Sequence, residues 1–358
     1  MNGGTTRTTC PYCGVGCGIL ARPRSDGTAE IAGDPEHPAN FGRLCSKGAA
    51  LGETLSLEGR LLYPLVHSER ASWDEALDLV AQRFSAAIAK HGPDSVAFYL
   101  SGQLLTEDYY VANKLMKGFF GSANIDTNSR LCMASSVAGH RRAFGTDTVP
   151  GTYEDLELAD LVVLVGSNLA WCHPVLYQRL AAAREARGTK IVVIDPRETS
   201  TCEIADLHLA IAPGADVALF NGLLAHLTAS GRLDVEYIAQ HTRGLPAALA
   251  AASSMSLAEI AATTALPTSL IADFYELFAD TERVVTVYSQ GVNQSSAGTD
   301  KVNAILNCHL ATRRIGRPGM GPFSVTGQSA GCRICSRRTW SSTIPSIAAP
   351  SASSGTRR

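Results

Sequence analysis

The sequence lacks the features that define several common classes of protein. Its net charge is only −2 over 358 residues, and no basic stripe is interleaved with aromatic residues, so we expect no nucleic-acid partner. No apolar run reaches the roughly 18 residues that a membrane span requires, which predicts no membrane segment. The N-terminus MNGGTTRTTC has neither an apolar stretch nor twin arginines, so we expect a cytoplasmic protein.

Standard nucleotide-binding motifs and internal repeats are also missing. Neither G-x-G-x-x-G nor a Walker lysine occurs, so a standard NAD or ATP site is not indicated. The proportions of hydrophobic residues (45%) and charged residues (18%) are instead typical of a soluble globular protein with a sizeable core. The length allows two or three domains.

Cysteine is what the sequence does contain, with ten residues. In a cytoplasmic setting these indicate metal ligands, redox groups or buried apolar residues rather than disulfides. Cys10, Cys13 and Cys17 lie within TTCPYCGVGCGIL (8–20), and Cys45 follows in GRLCSKG, which makes the spacing C-x2-C-x3-C-x27-C. The glycines between the first three allow tight turns, so that several sulfurs can converge on one centre.

Four converging thiolates can hold either zinc or an iron–sulfur cluster. Structural zinc usually takes two C-x2-C pairs, and this region has one, so the uneven spacing favours a [4Fe–4S] cluster. Zinc and unligated core thiols are the alternatives. Lys47 is either a solvated surface lysine or a cation between the cluster and a second redox centre. A further C-x2-C at Cys332 and Cys335 we attribute to chance.

Beyond a turn-rich segment over residues 1–60, the pattern predicts regular structure. A helix is expected over 72–92, with a capping box formed by Ser72 and Glu75 and an end at Gly92. The other predicted elements are strands at 95–100, 158–168, 189–199 and 283–291 and helices near 106–119, at 173–188 and within 212–231. Strands that alternate with helices predict an α/β fold with a doubly wound parallel sheet.

Four predicted strand ends carry short polar or glycine-containing sequences. They are GSN (166–168), DPR (195–197), PGAD (213–216) and SQG (289–291). Ligands bind at the carboxyl ends of the strands in such sheets, and these sequences offer backbone N–H groups or side-chain acceptors. They predict a site for a nucleotide-like ligand, with ordinary connecting loops as the alternative.

These motifs together resemble the molybdopterin oxidoreductases that carry a bis-molybdopterin guanine dinucleotide cofactor. The resemblance covers residues 8 to about 328 and includes CSKG, NSRLCMASSVAGH (128–140), VIDPRET (193–199) and GPFSVTGQ (321–328). Within the family, the motifs are most similar to cytoplasmic assimilatory nitrate reductases, with periplasmic nitrate reductases next. The implied domains are a [4Fe–4S] domain (1–60), the first part of an α/β domain (61–135), a dinucleotide-binding α/β domain (136–327) and an atypical, disordered tail (328–358).

The resemblance also implies a role for each matching residue. Cys10, Cys13, Cys17 and Cys45 would ligate the cluster, Lys47 would bridge the cluster and a pterin, and Cys132 would be the protein thiolate on molybdenum. The residues implied to contact the cofactor are Gln103 and Asn128 near the metal, and Gly166, Ser167, Asn168, Asp195, Pro196, Arg197, Pro213, Gly214, Asp216, Gln290, Gln294 and Gln328 along its dinucleotide tails. Without the resemblance, Cys132 is an ordinary core cysteine.

The implied reaction is molybdenum-dependent reduction of nitrate to nitrite. Electrons from ferredoxin, flavodoxin or an NADH-linked reductase subunit would enter through the cluster and pass Lys47. Formate dehydrogenases of the same fold place a histidine after the metal-binding cysteine and an arginine two residues before the glutamine of a GQ motif. Met133 and Thr326 stand there instead, which favours nitrate. A non-catalytic Fe–S electron carrier and a zinc protein are the alternatives from other classes.

Two departures from the family pattern carry expectations of their own. Members continue for several hundred residues past 321–328, so we expect a frameshift or a prematurely ended reading frame. Such a chain would expose apolar surface and a strand edge within 61–135, bind the pterin cofactor weakly and reduce nitrate poorly or not at all. Arg313 occupies a turn where the family has glycine, and a positive φ there would cost about 1 kcal/mol or more.

Overall fold

The computed structural model describes residues 4–102 and 104–325. The strands are β1 (Thr6–Thr9), β2 (Gly18–Pro23), β3 (Ala29–Gly33), β4 (Leu65–Val66), β5 (Glu69–Arg70), β6 (Phe98–Leu100), β7 (Ile125–Thr127), β8 (Leu161–Val165), β9 (Lys190–Ile194), β10 (Leu207–Leu209), β11 (Val284–Tyr288) and β12 (Gly321–Ser324). The α-helices are α1 (Ser46–Ala49), α2 (Trp73–His91), α3 (Thr106–Asn113), α4 (Ser129–Cys132), α5 (Ala134–Phe144), α6 (Tyr153–Leu158), α7 (Leu169–Cys172), α8 (Pro174–Arg187), α9 (Asp216–Ala229), α10 (Val235–His241), α11 (Leu245–Ala252), α12 (Leu257–Thr264), α13 (Thr268–Asp280), α14 (Gln290–Asn293) and α15 (Gly298–Ala311). The predicted tail 328–358 lies outside the described residues.

The N-terminal region is a small antiparallel sheet in the order β1-β2-β3. Strand β2 begins at Gly18, immediately after Cys17. A Cβ at Gly18 would lie 2.3 Å from Cβ of His37, so only glycine allows the chain to pass there. This close contact brings the loop that carries three cysteines against the segment that leads to Cys45.

The next region contains α2 and the parallel pair β6–β7. Helix α2 begins as the capping box predicts, since Ser72 Oγ accepts a hydrogen bond from the Glu75 N–H at 3.2 Å, and it ends at Gly92. Strand β6 is shorter than the strand predicted over 95–100, since a 3₁₀ turn at Pro93–Ser95 takes up its expected start. Within the described part of the chain, β6 and β7 pair only with each other.

Large apolar side chains are exposed in this region. Leu61 is 77% exposed, Phe119 73%, Tyr99 69% and Trp73 65%, and no residue of α2 is buried. An exposed apolar surface of this extent is unusual on a monomeric protein. It usually marks a surface that contacts other protein or a ligand.

The main sheet has five parallel strands in the order β10-β9-β8-β11-β12. Side chains alternate between its two faces. Leu161, Val163 and Val165 pack towards α9, α13 and α15, whereas Val162 and Leu164 pack towards α8 and the N-terminal region. The prediction of a doubly wound parallel sheet is confirmed, and the strand order reverses between β8 and β11.

Four helices between α9 and β11, namely α10 to α13, were not predicted from the sequence. They pack on one face of the sheet through residues such as Ile238, Ile260 and Phe274. No single helix in the described residues combines the length and apolar character of a membrane span. One bent pair, α11 with α12 at 73°, meets that criterion by length and composition.

Candidate active site

A cavity of about 490 Å³ lies between the N-terminal loop and the beginning of α7 and α8. Its lining residues are Cys10, Tyr12, Cys13, Gly16, Cys17, Leu44, Cys45, Ser46, Lys47, Gly48, Ala170, Trp171, Cys172, Pro174, Val175 and Gln178. All four cysteines predicted as cluster ligands thus face one space, and none of them is in a disulfide.

Backbone hydrogen bonds and one buried side chain shape the cysteine loop. The Cys10 N–H donates to the Cys17 carbonyl at 2.8 Å, which closes the loop. Asn40 is fully buried; its Oδ1 accepts from the Gly18 N–H at 2.8 Å, and its Nδ2 donates to the Arg43 carbonyl at 2.9 Å. Asn40 therefore holds the approach to Cys45 against the loop. The sequence offered no signal for it.

Burial and the proximity of other thiols make Cys10 and Cys17 hard to ionise without a cation. Burial, together with the neighbouring Cys13, Cys10 and Cys45, raises the pKa of Cys17 to about 12. Burial also raises the pKa of Cys10. A positively charged metal centre favours the thiolate form, so the donor set fits a metal centre.

The arrangement fits a cluster better than a single ion. Zinc requires sulfurs about 2.3 Å from one metal. Among the described residues, no three His, Cys, Asp or Glu side chains converge closely enough to hold one metal ion. The four cysteines instead line a cavity of about 490 Å³, which suits four thiolates around a [4Fe–4S] cluster.

Lys47 is exposed on α1, in the wall of this cavity. The next residue, Gly48, is buried, and a Cβ there would lie 4.0 Å from Sγ of Cys10. Helix α1 therefore packs against the cysteine loop, which keeps Lys47 beside the sulfurs. A cation in this position is compatible with either a solvated lysine or a bridge between two redox centres.

Two buried side chains join the cysteine region to the main sheet. The Arg179 side chain is fully buried; Nε donates to Oε1 of Glu157 at 2.7 Å, and Nη1 donates to the carbonyls of Pro38 and Ala39 at 2.8 and 2.9 Å. The Tyr153 hydroxyl donates to the Gly14 carbonyl at 3.1 Å. The cavity is consequently held beside the carboxyl edge of β8.

Two glycines bring the loops after β8 and β11 into contact. Gly166 has φ of +52°, and a Cβ at Gly166 or Gly291 would lie 2.7 Å from the other residue's Cα. The adjacent Ser167 is buried, and its Oγ has no hydrogen-bond partner among the residues that the structure describes. A buried hydroxyl without a partner is costly, so Ser167 fits a polar group of a ligand at this switch point.

The other predicted dinucleotide contacts divide into two groups. Exposed at the same edge are Pro196, Arg197, Pro213 and Gly214. Three others already have partners in the protein: Asn168 Oδ1 accepts from Thr201 at 2.9 Å, Asp195 Oδ1 accepts from the Arg197 N–H at 2.9 Å, and Asp216 Oδ2 lies 2.6 Å from Lys301 Nζ in a buried ion pair.

Cys132 ends α4, which follows β7, and lies beside α14, which follows β11. Its Sγ accepts hydrogen bonds from Nε2 of Gln290 at 3.5 Å and of Gln294 at 3.6 Å, so both glutamines contact the thiol rather than a distant part of the edge. The Asn128 carbonyl accepts from the Cys132 N–H at 3.0 Å, while Asn128 Oδ1 is buried with no partner in the described part of the chain. The region thus fits a metal bound to sulfur together with a polar cofactor.

Three residues invoked from the sequence lie outside the described residues. They are Gln103 and Gln328, expected to contact the cofactor, and Thr326, which distinguished nitrate from formate. Their roles stay predictions.

Comparisons with known proteins agree with this architecture. The profile of the family described as molybdopterin oxidoreductase matches residues 60–354, and that of the molybdopterin oxidoreductase Fe4S4 domain matches residues 4–56. The first match extends beyond Gln328, where we expected the likeness to end. The chain belongs to the molybdopterin oxidoreductase family.

Curated relatives narrow the likeness further. The chain is 58% identical to a nitrate reductase of Klebsiella oxytoca over 90% of this chain and 37% of the relative. It is 51% identical to a nitrate reductase of Shewanella frigidimarina over 90% of this chain and 35% of the relative. A periplasmic nitrate reductase of Desulfovibrio desulfuricans is 40% identical over 90% and 45%. The chain thus spans between a third and a half of the length of these relatives.

A solved structure shares the fold. Acetylene hydratase from Pelobacter acetylenicus superposes with a TM-score of 0.75 at 25% identity, over 85% of this chain and 42% of that one. That enzyme's name denotes a different reaction, so the fold by itself does not determine the substrate.

Proposed function

We propose that this chain carries a [4Fe–4S] cluster and a molybdenum bis-molybdopterin guanine dinucleotide cofactor, and that it belongs to an enzyme that reduces nitrate to nitrite. The observation that carries the proposal is the placement of two sulfur sites. Four thiols face one cavity beside α7, and Cys132 lies beside Gln290 at the carboxyl edge of the main sheet.

The chain's own residues would divide the work. Cys10, Cys13, Cys17 and Cys45 would hold the cluster, and Cys132 would hold molybdenum. When bound, these groups supply one-electron transfer and two-electron oxygen-atom transfer respectively. Reduction of nitrate consumes two electrons and two protons and releases nitrite and water.

Other residues would bind and orient the cofactor. Ser167 Oγ and Asn128 Oδ1, which have no partner among the described residues, offer hydrogen bonds at the sheet edge, and Gly166 and Gly291 let the loops after β8 and β11 pack against each other. Lys47, in the wall of the cysteine cavity, would provide positive charge beside the cluster. Asp216, whose carboxylate pairs with Lys301, would support the loop at 213–216 rather than contact the ligand directly.

Nitrate is favoured over formate by the residue that follows Cys132. Met133 presents a thioether that neither carries charge nor accepts a proton at neutral pH, and its Sδ contacts Asn293 Nδ2 at 3.3 Å. The relatives named nitrate reductase support the same substrate. The electron donor would be ferredoxin, flavodoxin or an NADH-linked reductase subunit, and the location the cytoplasm.

Elemental analysis of anaerobically purified protein tests the proposal. We expect about four iron atoms per chain, substoichiometric molybdenum rather than zinc, at most weak nitrate reduction with reduced methyl viologen, and no formate oxidation. Cys45→Ser should lower the iron content sharply, whereas Cys172→Ser, which alters another thiol of the same cavity, should not. Zinc without iron, or formate oxidation, would contradict the proposal. Iron without molybdenum would support the electron-carrier alternative.

A further inference from the structure

The turn between Cys132 and Ser136 is held by a side chain that comes from more than 150 residues away. Helix α5 begins after Met133, whose side chain does not cap it. Asn293 of α14 supplies the missing acceptor, since its Oδ1 accepts a hydrogen bond from the Ser136 N–H at 2.7 Å.

The other end of the same amide reaches the cysteine itself. Asn293 Nδ2 donates to the Cys132 carbonyl and lies 3.1 Å from Gln290 Oε1. Gln290 in turn donates through Nε2 to Cys132 Sγ. One side chain therefore fixes both the backbone of Cys132 and the glutamine that contacts its sulfur.

Burial makes this arrangement rigid. Asn293 is only 3% exposed, and its oxygen and both of its N–H groups face protein partners. A buried amide that loses these partners pays the cost of unsatisfied polar groups, so alternative positions of the turn are disfavoured.

We propose that Asn293 is a positioning residue that holds the Cys132 thiol in the orientation needed to bind the metal. The inference rests on the proposed function for the identity of the metal. The arrangement of the thiol itself is a property of the chain and can be measured without any cofactor.

Alkylation of Cys132 provides that measurement. The chain is treated with iodoacetamide without cofactor, and the rate is followed by mass spectrometry of the tryptic peptide 131–141. The exposed Cys172 serves as the reference thiol in the same sample. We expect Asn293→Ala to raise the Cys132 rate at least about fivefold and to leave the Cys172 rate unchanged.

Two further variants separate positioning from general stability. Asn293→Asp retains an acceptor for the Ser136 N–H at a helix N-terminus, where a negative charge is favourable. It loses the donor to Cys132, so it should lower the melting temperature less than Asn293→Ala does and still raise the rate. Asn303→Ala is the matched control, because Asn303 Nδ2 also donates to an α5 carbonyl, that of Gly139, at 2.9 Å.

The outcomes distinguish this inference from the proposed function. An unchanged Cys132 rate in folded Asn293→Ala or Asn293→Asp would overturn the positioning role, and so would an equal increase in Asn303→Ala or loss of folding in both Asn293 variants. Failure of the wild-type protein to retain any molybdenum after incubation with the cofactor would overturn the proposed function instead. The alkylation result would still stand.

Discussion

Individual residues in this protein are held in backbone conformations that their side chains do not favour. Arg313 has φ of +54° and Ala265 has φ of +56°, in the left-handed region where a Cβ is strained. For Arg313 the structure shows the positive φ that the turn sequence raised as an expectation. Its guanidinium lies 3.7 Å from Asp234 in an exposed ion pair, and such a pair contributes little stability.

Replacement of Arg313 should therefore reveal the backbone strain. Arg313→Gly removes the Cβ, whereas Arg313→Ala removes only the ion pair. We expect the glycine variant to be more stable than the alanine variant by about 1 kcal/mol, measured by urea denaturation. Ala265→Gly should show a gain of the same sign, and equal stability of the two Arg313 variants would show that the turn is unstrained.

At the scale of secondary-structure elements, the contact between α15 and β11 buries a histidine of α15. His309 is fully buried; Nδ1 lies 3.2 Å from the Arg314 carbonyl and Nε2 lies 2.8 Å from Thr286 Oγ1. A carbonyl only accepts, so Nδ1 carries the proton and Nε2 accepts from the Thr286 hydroxyl. Burial, reinforced by the positive charge of Arg314, lowers the pKa of His309 to about 3.

This histidine makes stability dependent on pH. Its pKa is lower in the folded state than the unfolded value of about 6.5, so the unfolded chain gains a proton first as the pH falls. Stability is therefore fully present above about pH 6.5 and declines below it, by up to about 1.4 kcal/mol per pH unit. Urea denaturation between pH 7 and 5 should show this slope, and His309→Gln should reduce it. Parallel pH profiles would contradict the assignment.

At the scale of the whole molecule, a few buried polar side chains determine how the cysteine region sits on the main sheet. Arg179 connects α8 to the carbonyls of Pro38 and Ala39 and to Glu157. The cavity of the four thiols exists only because these two regions adjoin. Its integrity therefore depends on a residue that is not a cluster ligand.

Removal of Arg179 should be costly for that reason. Arg179→Ala leaves two buried carbonyls and a partly buried carboxylate without their donor, and we expect a loss of about 3 kcal/mol together with a lower iron content. Arg142→Ala is the control, because Arg142 pairs with Asp300 at 2.8 Å on the surface, and it should cost less than about 1 kcal/mol. Similar losses in both variants would show that Arg179 has no special role.

The sequence by itself determined the local features: the cysteine spacing, the capped helix α2, and strands alternating with helices. These depend on neighbours in the chain, through loop geometry, caps and hydrophobic periodicity. Only the tertiary structure decided that Asn40 supports the cysteine loop, that Gln290 and Gln294 contact Cys132, and that Asn293 holds its turn. Each of these contacts joins residues distant in sequence, and a polar side chain acquires its partners only when folding excludes water and brings those partners within hydrogen-bond distance.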